Sequence, residues 1–219
     1  MNSLPQHIKH RIKPFQLSTS FEDAKTFLTK KHFSHFPIVE ETVFLGNIAL
    51  EDAETIENFH SLGDYRMVFE PFFARESMNW LEVLEIFSKN ETNIVPVLGE
   101  NNSYKGFYIY NEVAGYFNDT PFLKEPGNIF VIEKNIHDYS ISQIAQIVET
   151  NNAKLIGVIL SKIEDDKVQI TVKSTASNIN EIIQTFRRYG YEIISEHTED
   201  NYLSELKSRS AYLDKYLNI

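Results

Sequence analysis

Ser20 to Asp52 reads SFEDAKTFLTKKHFSHFPIVEETVFLGNIALED, and Asn79 to Glu112 reads NWLEVLEIFSKNETNIVPVLGENNSYKGFYIYNE. The second stretch is a diverged copy of the first. Ser20 aligns with Asn79, Phe21 with Trp80, Ala24 with Val83, Phe27 with Ile86, Leu28 with Phe87 and Pro37 with Pro96, all 59 positions apart. Gly46 and Gly106 lie 60 apart, so one residue has been added between the proline and the glycine. A surface turn is where an added residue does least harm. An internal repeat of this length is one supersecondary unit that must stack on its neighbour to bury a core.

Each copy predicts the same local elements. Ser20 with Asp23, and Asn79 with Glu82, are capping-box pairs: a short polar side chain covers free N–H groups at a helix start, and an acid three residues on reaches back. Apolar residues then recur at 21, 24, 27, 28 and at 80, 83, 86, 87, the spacing of one helix face. A proline-led apolar strand follows (FPIV, VPVL), then a polar turn (EET, GENNS). A second strand crosses a glycine (VFLGNIAL, YKGFYIY), and an acid, Asp52 or Glu112, opens a short helix. Helix, hairpin and helix are too small to hold a core alone, so the two copies are expected to pack together.

Outside the repeat, Pro14 to Leu17 and FEPFFARES read as entry strands of copies one and two. EDAETIENFHSL (51–62) continues the helix of copy one, and LGDYRMV (62–68) is a connector. His7, Lys9, His10, Arg11 and Lys13 form a basic cluster that reads either as a contact for an anionic partner or as a solvated segment. His32-x-x-His35 offers two metal ligands on a helix or two structural histidines. No third ligand is placed by the sequence, and no metal site is expected.

Pro126-Gly127 punctuates the chain. Beyond it the order changes to strand (NIFVIEKNI), helix capped by Ser140 and Gln143, strand (LIGVILSKI), turn (EDD) and strand (KVQITVKS). A helix capped by Asn178 and Glu181 and stopped at Gly190 follows, then a last strand (YEIISEH). That is β-α-β-β-α-β, a ferredoxin-like split arrangement. Leu203, Leu206, Ser210, Leu213 and Leu217 form a short heptad seam in a C-terminal helix.

The chain has 219 residues, 42% of them hydrophobic, with 16 Phe and 11 Tyr, a composition that argues against disorder. It has no cysteine, which excludes disulfides and thiolate metal sites and suits a reducing cytoplasm. No apolar run opens the chain and none is long enough for a bilayer, so neither a signal peptide nor a membrane partner is expected. A net charge of −10 argues against nucleic acid, whose phosphate backbone calls for a basic surface. Walker, dinucleotide, Gly-x-Ser-x-Gly and His-Glu-x-x-His motifs are all absent, and no catalytic cluster is expected.

The repeat resembles the CBS domain, which occurs in tandem pairs (Bateman modules). The resemblance covers about the first 120 residues. It is carried by Phe36-Pro37-Ile38-Val39 and Val95-Pro96-Val97-Leu98, and by a Gly-x-hydrophobic-[Ser/Thr]-x-x-Asp stretch. The latter stands here as Gly46-Asn47-Ile48-Ala49-Leu50-Glu51-Asp52 and Gly106-Phe107-Tyr108-Ile109-Tyr110-Asn111-Glu112. The resemblance implies a cleft for an adenosine-containing ligand, such as AMP, ADP, ATP or S-adenosylmethionine. Asp52 and Glu112 would accept ribose hydroxyls there, a task suited to a carboxylate. Ile38 and Ile48 would face adenine, His35 would lie beside the cleft and Arg75 would meet phosphate. Asp52 reads equally as a first-turn acid of its helix. The Ser/Thr of the motif is replaced by Ala49 and Ile109.

Residues 128–196 resemble an ACT domain, a regulatory module that often binds an amino acid at a subunit interface. The usual Asp-x-Pro-Gly ligand loop stands here as Asp138-Tyr139-Ser140-Ile141, without the proline or glycine that lets a backbone approach a ligand. Asp138 and Ser140 are its remaining candidates, and a pure pairing role is the alternative.

The expectation is an α+β chain. An N-terminal segment with CBS module 1 (1–65) and CBS module 2 (66–124), each module strand–helix–hairpin–helix, precede a ferredoxin-like βαββαβ ACT-type domain (125–198) and a C-terminal helix (199–219). As a whole it resembles CBS–CBS–ACT proteins of the acetoin-utilisation accessory type. The function implied is non-enzymatic regulation in the cytoplasm, as a homodimer acting on an unidentified protein partner. The alternative is a ligand-free assembly module.

Overall fold

The computed structural model describes residues 4–56, 60–175 and 178–195. The heptad seam beyond residue 195 lies outside them. The chain divides into two compact units, Met1–Asp119 and Thr120–Ile219.

In the first unit the repeat becomes two matching sets of elements. Copy one has α1 (Phe21–Lys31), β1 (His35–Glu40), β2 (Val43–Ala49) and α2 (Leu50–Thr55). Copy two has β3 (Ala74–Arg75), α3 (Trp80–Lys89), β4 (Ile94–Leu98), β5 (Tyr104–Ile109) and α4 (Tyr110–Asn118). Asn79 makes the full capping box: its Oδ1 accepts from Leu81 N and Glu82 N, and Glu82 accepts from Asn79 N. Ser20 makes half of one. Its Oγ accepts from Asp23 N at 3.1 Å, but the Asp23 carboxylate takes the Ser20 hydroxyl rather than the backbone N–H.

The two hairpins share a register irregularity, at Ile38/Val39 and Val97/Leu98, and the added residue falls in the second turn. That turn forms a short 3₁₀ segment, Glu100–Asn102, with Asn101 and Asn102 in the left-handed region. The helix of copy one stops at Thr55, short of the 51–62 expected, and the connector Leu62–Val68 is a 3₁₀ turn capped by Ser61 and Asp64.

The copies interlock. Phe15 bridges Ile38 in parallel, as Ala74 pairs with Val97. The segment preceding each copy then crosses to the other. Lys9 bridges Phe107 of β5, and Glu70 bridges Asn47 of β2. Leu4 and Ile8 accordingly pack into the core of copy two with Tyr108, Val95 and Phe87. Ile94 and Phe107 of copy two pack into the core of copy one with Phe36, Ile38 and Ile48. Each copy closes its core with pieces of the other, which is why neither is expected to fold alone.

The second unit has α5 (Pro121–Lys124), β6 (Asn128–Asn135), α6 (Ile141–Thr150), β7 (Leu155–Glu164), β8 (Lys167–Ser174), α7 (Ile179–Arg188) and β9 (Glu192–Ile193). Its sheet is antiparallel in the order β7-β8-β6-β9, and the elements follow one another along the chain in the β-α-β-β-α-β order read from the sequence. Alternate residues of β6 and β8 (Phe130, Ile132, Val168, Ile170, Val172) face α6 and α7 and meet Ile144, Ile147, Ile182 and Phe186. Ser140 caps α6 as expected. Asn178 makes no side-chain cap on α7; its amide donates to the Glu181 carboxylate instead. The short α5 lies against this sheet because Gly157 leaves room for the Phe122 ring, and Lys173 donates to the Phe122 carbonyl at 2.6 Å.

Candidate functional site

The first unit has approximate two-fold symmetry, and the repeat-equivalent residues Ser34 and Asn93 sit across the axis from each other. Ser34 N donates to Asn93 Oδ1 at 3.0 Å, and Asn93 N donates to Ser34 Oγ at 3.0 Å. Their carbonyls play matching roles, accepting from Leu50 N (2.8 Å) and Tyr110 N (3.0 Å) at the starts of α2 and α4. At the other end of the hairpins Val43 bridges its own counterpart, Ser103. These contacts join one copy to the other at both ends of the hairpins.

A groove of about 490 Å³ opens at the ends of β3 and β4, lined by Arg75, Glu76, Ser77, Leu98, Gly99 and Glu100. That volume is within the range of small-molecule sites. Arg75 is the one sequence-predicted residue in it. Its guanidinium donates to Gly99 O at 3.1 Å and Asn102 Oδ1 at 2.6 Å and lies 4.8 Å from the centre of the Phe73 ring. Two contacts leave most of the five guanidinium N–H donors for something else. Glu76, Ser77, Gly99 and Glu100 escaped the sequence reading because they belong to turns; the signal available was their place just after paired strands that repeat.

The other expected site residues are dispersed. Asp52 is half-buried in the first turn of α2 and makes no ion pair among the described residues. Glu112, its counterpart on α4, is held by Lys9 Nζ at 2.6 Å, with His7 Nδ1 at 3.6 Å. Ile38 and Ile48, read as facing adenine, are instead closed to solvent in the core, because Phe15, Phe36 and Phe107 pack over them. His35 is also buried. Its Nδ1 bonds Ser34 Oγ at 3.0 Å, its Nε2 lies 3.4 Å from Glu70 Oε1, and its ring meets Phe72 edge-on. His32 is a left-handed C-cap of α1, so the two histidines do not share a helix face. No group of three metal-ligating acids or histidines occurs among the described residues.

In the second unit Asp138 is exposed on the turn after β6. Ser140 spends its Oγ on the Gln143 N–H and on Ser142, and its backbone N donates to Tyr191 OH. The loop is thus tied to the core by a cap rather than opened by a glycine. No helix among the described residues is long and apolar enough to cross a membrane.

No protein-family model matches the sequence, and no curated protein is similar to it in sequence. Among solved structures, the chain is similar to a CBS domain pair/ACT domain protein from Thermotoga maritima at 16% identity. That match covers 53% of this chain and 96% of the other, with a TM-score of 0.47. It is similar to the CBS domains of a transcriptional regulator from Streptococcus pneumoniae at 18% identity, over 52% of this chain and 98% of the other, TM-score 0.46. A third similar structure is CBSX2 in complex with AMP, at 16% identity over 53% and 96% of the two chains, TM-score 0.44.

Proposed function

We propose that the first unit is a tandem CBS pair that senses an adenosine-containing ligand and regulates a protein partner without catalysing a reaction. The observation that carries this reading is the exchanged pairing of the two copies. Two Pro-strand, Gly-strand units lock through Ser34 and Asn93, and copy two carries a groove at its β3–β4 ends with Arg75 in it. Arg75 would meet phosphate, and Asp52 would accept ribose hydroxyls. The mechanism is a population shift: a ligand favours whichever arrangement of the copies it binds more tightly, by that difference in affinity alone. The second unit would serve as an ACT-like pairing domain for a cytoplasmic homodimer, or take a second ligand at the turn around Asp138 and Ser140.

A ligand-free assembly module is the second reading. It is favoured by Ala49 and Ile109 where a hydroxyl is expected, by the burial of Ile38 and Ile48, and by two carboxylates, Glu76 and Glu100, lining the groove beside Arg75.

A thermal-shift panel of AMP, ADP, ATP, S-adenosylmethionine and the common amino acids separates them. A ligand at about a hundred times its dissociation constant stabilises by about 2.7 kcal/mol, which moves the midpoint by several degrees. The expected result is a shift with one adenosine compound that Asp52→Ala abolishes. Unchanged affinity in that variant removes Asp52 from the site. A shift with an amino acid alone moves the site to Asp138, and no shift at all leaves the assembly reading.

A further inference from the structure

The two crossing segments, Lys9 and Glu70, are structural equivalents. Each bridges the residue that follows the repeat glycine of the opposite copy, Phe107 or Asn47. Each runs so close to that glycine that a side chain there has no room. A Cβ on Gly106 would lie 2.5 Å from Lys9 O, and one on Gly46 would lie 2.8 Å from the Phe69 Cβ. The backbones match, but the charges are opposite.

At copy two the strap carries Lys9, whose ammonium is 2.6 Å from Glu112 Oε1. Glu112 Oε2 is fully enclosed, with the His7 imidazole 3.6 Å away and the His7 ring packed edge-on against Tyr116. The strap is anchored: Lys9 N donates to Phe107 O at 2.8 Å, Phe107 N donates to Lys9 O at 3.3 Å, and Ile8 is buried in the core. At copy one the strap carries Glu70, whose carboxylate turns to His35 instead of to the helix acid. Asp52 is left without an ion pair among the described residues.

We propose that the segment His7–Lys9 is a built-in occupant of the second acidic position, so that the chain offers one ligand-accepting carboxylate, Asp52, where its repeat would supply two. Lys9 is the residue that sets this number. Its ammonium takes the place that ligand hydroxyls would take, and it neutralises the charge that would attract them. The copies therefore divide the work: the acid of copy one is left for a ligand and the acid of copy two holds the chain's own strap.

The binding arm of the test rests on the ligand reading above; the second arm does not. The probe in the first arm is AMP, titrated calorimetrically into the full chain and its Lys9→Met variant, which keeps the side-chain length and removes the charge. The expected stoichiometry is one per chain for the parent and two for Lys9→Met. Two sites in the parent, or one in the variant, overturn the proposal. In the second arm, hydrogen exchange of the Lys9 and Phe107 amides is followed without ligand. Lys9→Met is expected to speed both at least tenfold; unchanged exchange overturns the claim that the Lys9–Glu112 pair holds the strap in place. Absence of AMP binding by either protein counts against the ligand reading, while the exchange arm still decides whether Lys9 holds Glu112.

Discussion

Copy one and copy two follow the same backbone plan, but the straps that cross to them carry opposite charges, and only the strap at copy two reaches the helix acid. Glu70 approaches from one strap and Lys9 from the other, although both make the same bridge beside the same glycine. Their cores diverge as well. Copy one is built on a cluster of Phe15, Phe27, Phe33 and Phe36, which Phe107 joins from the other copy. Copy two has Val95 where copy one has Phe36, and Tyr108 where copy one has Ile48. A repeat preserves what the backbone requires, the caps, proline strands and close glycines. It frees the side chains that only have to fill space or carry charge.

The largest expected effect is on the shared core. Phe36→Ala removes a fully buried ring that touches four other phenylalanines and is expected to cost about 3–5 kcal/mol. Because the cores are interlocked, urea unfolding of this variant is expected to lower the stability of both copies in one transition. Separate transitions for the two would break the picture of mutual closure.

Next come the glycines. Gly46 and Gly106 have φ of 148° and 143° and a strap pressed against each. Alanine at either position is expected to destabilise by about 1–3 kcal/mol through backbone strain alone, more where the strap must also move. Similar losses at both sites in thermal melts would sharpen the equivalence. A neutral substitution at one would show that its strap is not packed as described.

Smaller effects separate the caps. Asn79→Ala is expected to cost about 1 kcal/mol, and Ser20→Ala somewhat less, since only Asn79 completes the reciprocal box. Equal losses would mean that the second half of the box contributes nothing.

The copies also differ at high pH. Burial pushes the Tyr108 hydroxyl up to about 12, with the Glu76 charge adding to the effect, and burial raises Tyr104 as well. A phenol whose folded value lies above the unfolded value near 10 keeps its full contribution below pH 10. It loses that contribution as the pH rises toward 12, because the unfolded chain ionises first. The equivalents in copy one, Ile48 and Phe44, cannot titrate. The alkaline loss of stability is therefore expected to originate from copy two, within the shared transition, and Tyr108→Phe should flatten the fall in melting temperature between pH 10 and 12. An unchanged profile would assign that fall to other groups.

Much of this was legible in the chain itself. Capping pairs, apolar spacing and turn residues are local properties, so α1, α3, both hairpins and the β-α-β-β-α-β order could be read from neighbouring residues. The repeat further implied that two small units must share a core. The site was less legible. Arg75 lines a groove that the sequence did not reveal, and Ile38 and Ile48 are core residues, because β1 is covered on both faces once the copies pack. The end of α2 at Thr55 and the bare N-cap Asn178, whose amide donates to Glu181 instead, also depart from pattern.

By itself, then, the sequence determined which segments are helices and strands and that the first half is built twice, since those follow from periodicity and chain-local hydrogen bonding. Only the tertiary structure decided that each copy is closed by a strap from before its partner, that Ser34 and Asn93 exchange hydrogen bonds, and that Glu112 is paired while Asp52 has no ion pair among the described residues. Contacts between residues far apart in the chain depend on where two surfaces meet in space, and charges at 9, 70, 52 and 112 acquire a meaning only once the chain has crossed over itself.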